Sequence, residues 1–115
     1  MARILLVEDH EDVRLLLEHV LLGSGHEVDV AGTVAQAHSL IEAASYELVI
    51  ADVRLPDGSG IAIADAAKER GMKTLVLTGY AFQPDADGLL RHGYLLKPVG
   101  PSELLLTLRR LIGEV

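Results

Sequence analysis

Four acidic residues occur within five positions near the start of the chain, in the stretch EDHED at positions 8–12. They follow an apolar run, Ile4 to Val7, that is typical of a strand buried inside a domain. Two carboxylates 4 Å apart repel each other by about 4 kcal/mol at an effective dielectric near 20. A cation held at this position would offset the repulsion, and acids that cap a helix or face solvent would avoid it. The stretch by itself leaves both explanations open.

Further polar residues come directly after apolar runs, at Asp52, Thr78 and Lys97. Together with the first acids they are the groups of a magnesium-dependent phosphoryl site. One or two carboxylates hold Mg²⁺, an aspartate can itself become an aspartyl phosphate, and an ammonium and a hydroxyl stabilise phosphoryl oxygens. We expect Glu8 and Asp9 to form the cation site.

The other residues of the acidic stretch have simpler explanations. Glu11 and Asp12 fall in the first turn of a predicted helix, where negative charge favours the helix dipole. His10, beside the acids, could add a metal ligand, but its side chain is expected to point to solvent. The five histidines share no helical or strand spacing, which argues against a zinc site built from them.

The elements that must position these residues alternate along the chain. Five apolar segments are predicted strands, nearly continuous in apolar residues as in parallel strands covered on both faces: Arg3 to Val7, Glu27 to Ala31, Glu47 to Ala51, Thr74 to Leu77 and Gly93 to Leu96. Amphipathic helical patterns separate them, one of which ends at Gly23 and one of which begins with the capping box Thr33 and Gln36. The last helix starts at Pro101.

This alternation predicts an α/β fold, (βα)5, with a doubly wound five-stranded parallel sheet. In such a sheet the site lies at the carboxyl ends of the strands, which brings the five polar residues to one edge. The connection from Tyr80 to His92 contains Pro84 and Gly88 and predicts a short or irregular fourth helix. The 115 residues, 1–115, are expected to form one domain.

Composition excludes several classes of function. The chain lacks cysteine, so it has no disulfides, no thiolate metal site and no cysteine nucleophile, which fits a cytoplasmic location. A net charge of −7 argues against direct binding of nucleic acid by this domain. The apolar runs are far shorter than the roughly 20 residues of a membrane span.

Four motifs in order resemble the response-regulator receiver domain, the CheY-like phosphoacceptor module of two-component signalling. They are LLVEDH around Glu8 and Asp9, ADVRLPDGSG around Asp52, LTGYA around Thr78, and GYLLKPV around Lys97. The resemblance covers essentially the whole chain. It implies the flavodoxin-like strand order 2-1-3-4-5 and a signalling phosphoacceptor in place of an enzyme with a separate substrate.

The resemblance implies a role for each matching residue. A phosphohistidine of a sensor histidine kinase or histidine phosphotransfer protein would phosphorylate Asp52, and Lys97 would pair with the phosphoryl group. Mg²⁺ would be bound by Asp9 directly and by Glu8 more loosely, with Asp52 and the backbone carbonyl of Arg54. Together the implied residues are the metal ligands Glu8, Asp9, Asp52 and Arg54, the catalytic residues Asp52, Lys97 and Thr78, the switch pair Thr78 and Tyr94, and the dephosphorylation-tuning positions Arg54 and Tyr80.

Further expectations follow from the same resemblance. The Lys97-Pro98 bond is expected to be cis. A downstream effector protein or domain is expected to receive the signal. Where the chain departs from the family, in a short connection weakened by Pro84 and Gly88, we expect the segment from Tyr80 to His92 to be locally unstable and to become more ordered when Asp52 is phosphorylated.

Two other functions remain open at this point. One is a receiver-like interaction domain that is never phosphorylated, although the acid pair, Asp52 and Lys97 are all retained. The other is a Mg²⁺-dependent phosphatase of haloacid dehalogenase type, which normally needs a second aspartate where this chain has Arg54.

Overall fold

The computed structural model of the protein describes residues 2–79 and 92–113. In chain order the elements are β1 Arg3–Val7, α1 Glu11–Gly23, β2 Glu27–Ala31, α2 Val34–Ala43, β3 Leu48–Asp52, β4 Arg54–Leu55, β5 Gly58–Ser59, α3 Gly60–Glu69, β6 Lys73–Thr78, β7 Gly93–Leu96 and α4 Pro101–Ile112. Strands β2-β1-β3-β6-β7 form a parallel five-stranded sheet in that order, and β4 and β5 form a separate antiparallel pair.

The predicted strand order 2-1-3-4-5 is confirmed, since β6 and β7 are the fourth and fifth strands of the parallel sheet. The predicted bounds are correct for β1, β2 and β7 and differ by one residue at each end for β3 and β6. The prediction of a short or irregular helix at 80–92 falls on positions 80–91, which lie outside the described residues. It therefore stays a prediction.

Alternating residues of each central strand pack against helices on opposite faces of the sheet. On one face, Ile4 and Leu6 of β1 join a core that includes residues of α1 and α4. On the other face, Leu5 and Val7 join a core that includes residues of α2 and α3. Because β1 and β3 are buried at nearly every position, each needs apolar side chains on both faces. This explains their continuous apolar runs.

The N-terminus of α2 is capped from two directions. The Thr33 hydroxyl accepts a hydrogen bond from the Gln36 N–H, as the capping box predicts. The Gln36 side chain reaches back to the Gly32 N–H at 2.8 Å, one residue beyond the expected partner. The remaining first-turn N–H groups, those of Val34 and Ala35, donate to the carboxylate of Asp57 in the β4–β5 turn at 2.7 and 3.1 Å.

A buried polar array ties β7 to α3 at the end of the sheet away from the strand-end acids. The His92 side chain is fully buried, and its two ring nitrogens lie 2.6 Å from the Thr74 hydroxyl and 2.8 Å from the Asp65 carboxylate. Both nitrogens are thus satisfied, as buried polar groups require. The array fixes the start of β7 against β6 and α3.

Within residues 2–79 and 92–113, no helix is long and apolar enough to cross a membrane.

Asp57→Asn is expected to lower the free energy of unfolding at neutral pH, because the helix N-terminus loses a negative charge. The N–H of Val34, helped by that of Ala35, holds the pKa of Asp57 below its usual range. The carboxylate therefore stabilises the fold above the ordinary aspartate pKa of about 3.9, and this stabilisation is lost as pH falls through the lower folded-state pKa.

Urea unfolding of both proteins from neutral to acidic pH checks this, with Glu18→Gln, an acid in the middle of α1, as the control. The stability difference should shrink below about pH 4. A difference that stays constant across this range would contradict the capping role.

Candidate functional site

The four strand-end positions meet at the carboxyl edge of the sheet. Glu8 follows β1, Asp52 ends β3, Thr78 ends β6 and Lys97 follows β7. Three of these side chains are almost completely buried, with exposed fractions of 0% for Glu8, 5% for Asp52 and 2% for Thr78. The parallel register carries residues far apart in sequence to one place, as the strand-end pattern predicts.

The Lys97 ammonium stands between two carboxylates from different strands. Its Nζ lies 2.9 Å from Asp52 Oδ2, to which it donates a hydrogen bond, and 3.0 Å from Glu8 Oε1. Burial of the ammonium lowers the pKa of Lys97, but the attraction of Asp52 and Glu8 outweighs burial, so the pKa is raised above its ordinary value. Lys97 is therefore a fixed positive charge at the bottom of the site.

The backbone around Asp52 is held closely. The Arg54 N–H donates to Asp52 Oδ1 at 3.2 Å, which leaves Oδ2 facing Lys97. The first residue of α3, Gly60, packs directly on this loop, and a Cβ there would lie 1.9 Å from the Asp52 carbonyl oxygen. Only glycine fits at that position without moving the loop that carries Asp52.

Carboxylate charge exceeds the positive charge of Lys97 in this cluster. One potential ligand atom from each of Glu8, Asp9, His10 and Asp52 lies within 4.8 Å of all the others. The buried oxygen Asp9 Oδ1 accepts no hydrogen bond from a described residue, and Glu8 Oε1 shares the Lys97 ammonium with Asp52. Buried charges of this kind need a counter-ion, and oxygen donors suit Mg²⁺. The residues present therefore fit a hard divalent cation.

The environments of the two neighbouring acids differ. One oxygen of Glu8 faces Lys97, and the other accepts the His10 N–H at 3.1 Å. The nearest basic group to Asp9 Oδ1 in the described part of the chain is the His10 ring nitrogen, at 3.4 Å. Asp9 is thus the acid with less compensation from the protein.

The side chain of His10 was expected to point to solvent, and this is only partly correct. The ring is 69% exposed, yet its Nδ1 lies 3.3 Å from Glu8 Oε2 and 3.4 Å from Asp9 Oδ1. The residue precedes α1 as its N-cap without making a side-chain cap, so its ring is available to the acids. The only indication of this contact in the sequence was the position of His10 between the acids of EDHED.

The proposed switch residues lie on adjacent strands. Thr78 pairs with Leu96 in the β6–β7 register, and Tyr94 lies two residues earlier on β7 with 37% of its surface exposed. The Thr78 carbonyl accepts the Lys97 N–H at 2.7 Å. The backbone thus links the end of β6 directly to the lysine.

The remaining predicted positions are described in part. Arg54 lies in β4, with an exposed side chain, and the role of its carbonyl as a ligand stays a prediction. Tyr80 lies outside the described residues, and its role in tuning dephosphorylation stays a prediction. The Lys97-Pro98 bond is cis, as predicted.

An apolar groove of about 350 Å³ opens beside the lysine, between α1 and the loop that follows β7. Its lining residues are Val13, Leu16, Leu17, Gly79, Lys97, Pro98 and Val99. Half of the surface of Leu16 is exposed, although it is a large apolar residue.

Asp9→Asn is expected to raise the free energy of unfolding in metal-free buffer by on the order of 1 kcal/mol, because it removes one of three carboxylate charges around a single lysine. Urea unfolding in the presence of EDTA measures this, and added salt should reduce the gain. Glu11→Gln, a nearby acid outside the cluster, is the control. An unchanged or less stable Asp9→Asn protein would show that the cluster is already compensated.

Comparisons with known proteins agree with this geometry. A family model described as the response regulator receiver domain matches residues 4–109. The chain is 38% identical over 112 residues to the DNA-binding transcriptional activator DevR/DosR of Mycobacterium tuberculosis, in an alignment that covers 90% of this chain and 51% of that protein. The chain thus spans about half the length of this relative and of others that it matches.

Solved receiver structures share the fold. A CheY-like receiver domain protein from Methanospirillum hungatei superposes with a TM-score of 0.89 at 30% identity, covering 97% of this chain and 94% of that one. The response regulator TrrA from Thermotoga maritima, solved in complex with Mg²⁺-BeF, has a TM-score of 0.86 at 31% identity, covering 96% and 99%. The chain therefore belongs to the response-regulator receiver family, in which a phosphoacceptor role and Mg²⁺ are general features.

Proposed function

We propose that Asp52 accepts a phosphoryl group from a phosphohistidine, on a sensor histidine kinase or a histidine phosphotransfer protein, in a Mg²⁺-dependent reaction. The observation that carries this proposal is the hydrogen bond of 2.9 Å between Lys97 Nζ and Asp52 Oδ2 inside a buried acidic cluster. A nucleophilic carboxylate and a fixed ammonium at contact distance are what phosphoryl transfer to an aspartate needs.

In the proposed step a carboxylate oxygen of Asp52 attacks phosphorus, and the bond from phosphorus to the donor nitrogen breaks. The Arg54 N–H holds Oδ1 in place, so attack by Oδ2 leaves the transferred group beside Lys97. The ammonium then exchanges its contact with the carboxylate for one with a phosphoryl oxygen. Strong hydrogen bonds to ionised oxygens favour this exchange.

The metal is proposed to be held by Asp9 directly, by Glu8 more loosely, and by Asp52 and the Arg54 carbonyl. When bound, Mg²⁺ neutralises charge on the phosphoryl oxygens. The uncompensated oxygen of Asp9 and the Lys97 and His10 contacts of Glu8 support this division. Thermotoga maritima TrrA in complex with Mg²⁺-BeF supplies a related precedent.

The conformational switch is proposed to pass through Thr78 and Tyr94. Thr78 is buried beside the acceptor, and its carbonyl already binds the Lys97 N–H. A hydroxyl drawn to the phosphoryl group would open space for the partly exposed Tyr94 ring on the neighbouring strand. Arg54 and Tyr80 are the proposed determinants of how long the phosphoryl group survives.

The apolar groove beside Lys97 is proposed to receive the phosphohistidine protein. It adjoins the reacting groups and presents exposed apolar surface, with Leu16 half exposed. A downstream effector protein or domain would read the switched state, as the DNA-binding activator among the relatives suggests by its name. The chain acts in this scheme as a signalling phosphoacceptor that assists its own phosphorylation.

The remaining alternative is a receiver-like interaction domain that is never phosphorylated. One labelling experiment distinguishes it from the proposed phosphoacceptor. Acetyl phosphate with Mg²⁺ should add one phosphoryl group to the wild-type protein, with acetate leaving. Intact-mass spectrometry should detect the gain, and EDTA should abolish it. Asp52→Asn should show no gain, because the amide cannot act as the nucleophile.

Asp12→Asn, an exposed acid in the first turn of α1, is the matched control and should label like wild type. Borohydride reduction followed by peptide mapping should place the modification at position 52. Full labelling of Asp52→Asn would overturn the assignment, and no labelling of the wild type would favour the interaction domain.

Thr78→Ala is expected to separate phosphorylation from switching. Beryllofluoride, a phosphoryl mimic, should change the NMR environment of the Tyr94 ring in wild type and in Thr78→Ser. It should leave the ring unchanged in Thr78→Ala, because no hydroxyl can move toward the acceptor. The same ring shift in all three proteins would show that the signal does not pass through Thr78.

A further inference from the structure

The imidazole of His10 is placed among the proposed metal ligands. Its Nδ1 lies 3.3 Å from Glu8 Oε2 and 3.4 Å from Asp9 Oδ1, while most of the ring remains open to solvent. The His10 backbone N–H donates to the same Glu8 oxygen at 3.1 Å. The backbone contact holds the start of α1 beside Glu8, and the ring nitrogen lies next to both acids.

A second observation points to a ligand at this place. Asp9 Oδ1 is buried without a hydrogen-bond donor from the described residues, so the acid beside the ring lacks a full partner. Adjacent ligands of a six-coordinate ion with bonds near 2.1 Å lie about 3 Å apart. The ring nitrogen and the two carboxylate oxygens are already close to that spacing.

We propose that His10 Nδ1 is an additional ligand that lets this site bind a borderline transition-metal ion such as Zn²⁺ in preference to Mg²⁺. Mg²⁺ favours oxygen donors and keeps its waters, whereas Zn²⁺ binds imidazole nitrogen and carboxylate oxygen at similar distances. The proposal rests on the divalent-cation site of the proposed function and adds to it a residue and a metal class.

No other histidine, His38 included, belongs to a cluster of potential metal ligands among the described residues. His26 Nδ1 accepts the Ala2 N–H, and both nitrogens of His92 are engaged. His19 is exposed on α1 outside the acidic cluster of Glu8, Asp9, His10 and Asp52, which makes it a matched control.

Zn²⁺ at this site would compete with Mg²⁺ for Asp9 and Asp52. A receiver with this histidine would then respond to transition-metal ions as well as to its phosphodonor. The competing ions share ligands, so occupancy by one excludes the other.

Calorimetric titration of the purified protein with ZnCl₂ and with MgCl₂ tests the proposal. His10→Asn, which keeps the backbone contact to Glu8, should weaken Zn²⁺ binding at least about tenfold, as loss of a metal-site partner typically does, and leave Mg²⁺ affinity within about twofold. His19→Asn should bind both ions like wild type. Zn²⁺ affinity that is unchanged in His10→Asn, or that falls together with Mg²⁺ affinity, would overturn the proposal.

An independent readout is the ¹⁵N NMR signal of the histidine rings with one equivalent of Zn²⁺. The His10 Nδ1 signal should shift strongly and return when excess Mg²⁺ displaces Zn²⁺. A shift confined to His19 or His38 would place the ion elsewhere and contradict the proposal. Failure of the proposed function is separate, since it would appear as absent labelling of Asp52 whatever the zinc result.

Discussion

The central constraint in this protein is one ammonium group shared by two buried carboxylates. Lys97 reaches Asp52 from the end of β7 and Glu8 from the end of β1, at 2.9 and 3.0 Å. Removing the ammonium would leave two buried carboxylates without a counter-charge, and removing both carboxylates would leave the ammonium without one. Both changes are strongly unfavourable. The ends of three strands must therefore keep their positions for the site to exist at all.

The net negative charge of this cluster explains why it favours a cation. Three acids and one lysine leave a negative excess, and Asp9 Oδ1 is its least compensated atom. A hydrogen-bond donor from the protein at that oxygen would stabilise the domain, but it would also occupy the position that a cation needs. In the proposed function, a divalent ion, alone or with a phosphoryl group, would supply this stabilising free energy on binding.

The scaffold around the site is closely packed. Apolar side chains on both faces fix β1 and β3, Gly60 packs against the Asp52 carbonyl, and the Asp57 carboxylate in the next turn caps α2. The loop after β3 therefore carries both the proposed acceptor, Asp52, and the carboxylate that caps α2. Displacement of this loop would disturb both, which couples Asp52 to the position of α2.

The sequence by itself determined the fold class and the strand-end residues, because continuous apolar runs and ordered motifs are local properties of the chain. The strand order was implied by the resemblance to receiver domains. The sequence also predicted that Glu8, Asp52 and Lys97 would meet, since parallel strands bring their carboxyl ends to one edge. Only the tertiary structure decided which atoms pair. Three sets of side-chain contacts could not be predicted from the sequence. They are the contact of the His10 ring with the acids, the capping of α2 by Asp57, and the hydrogen bonds among Thr74, His92 and Asp65. Side-chain direction and contact distance depend on packing between elements, which no local pattern specifies.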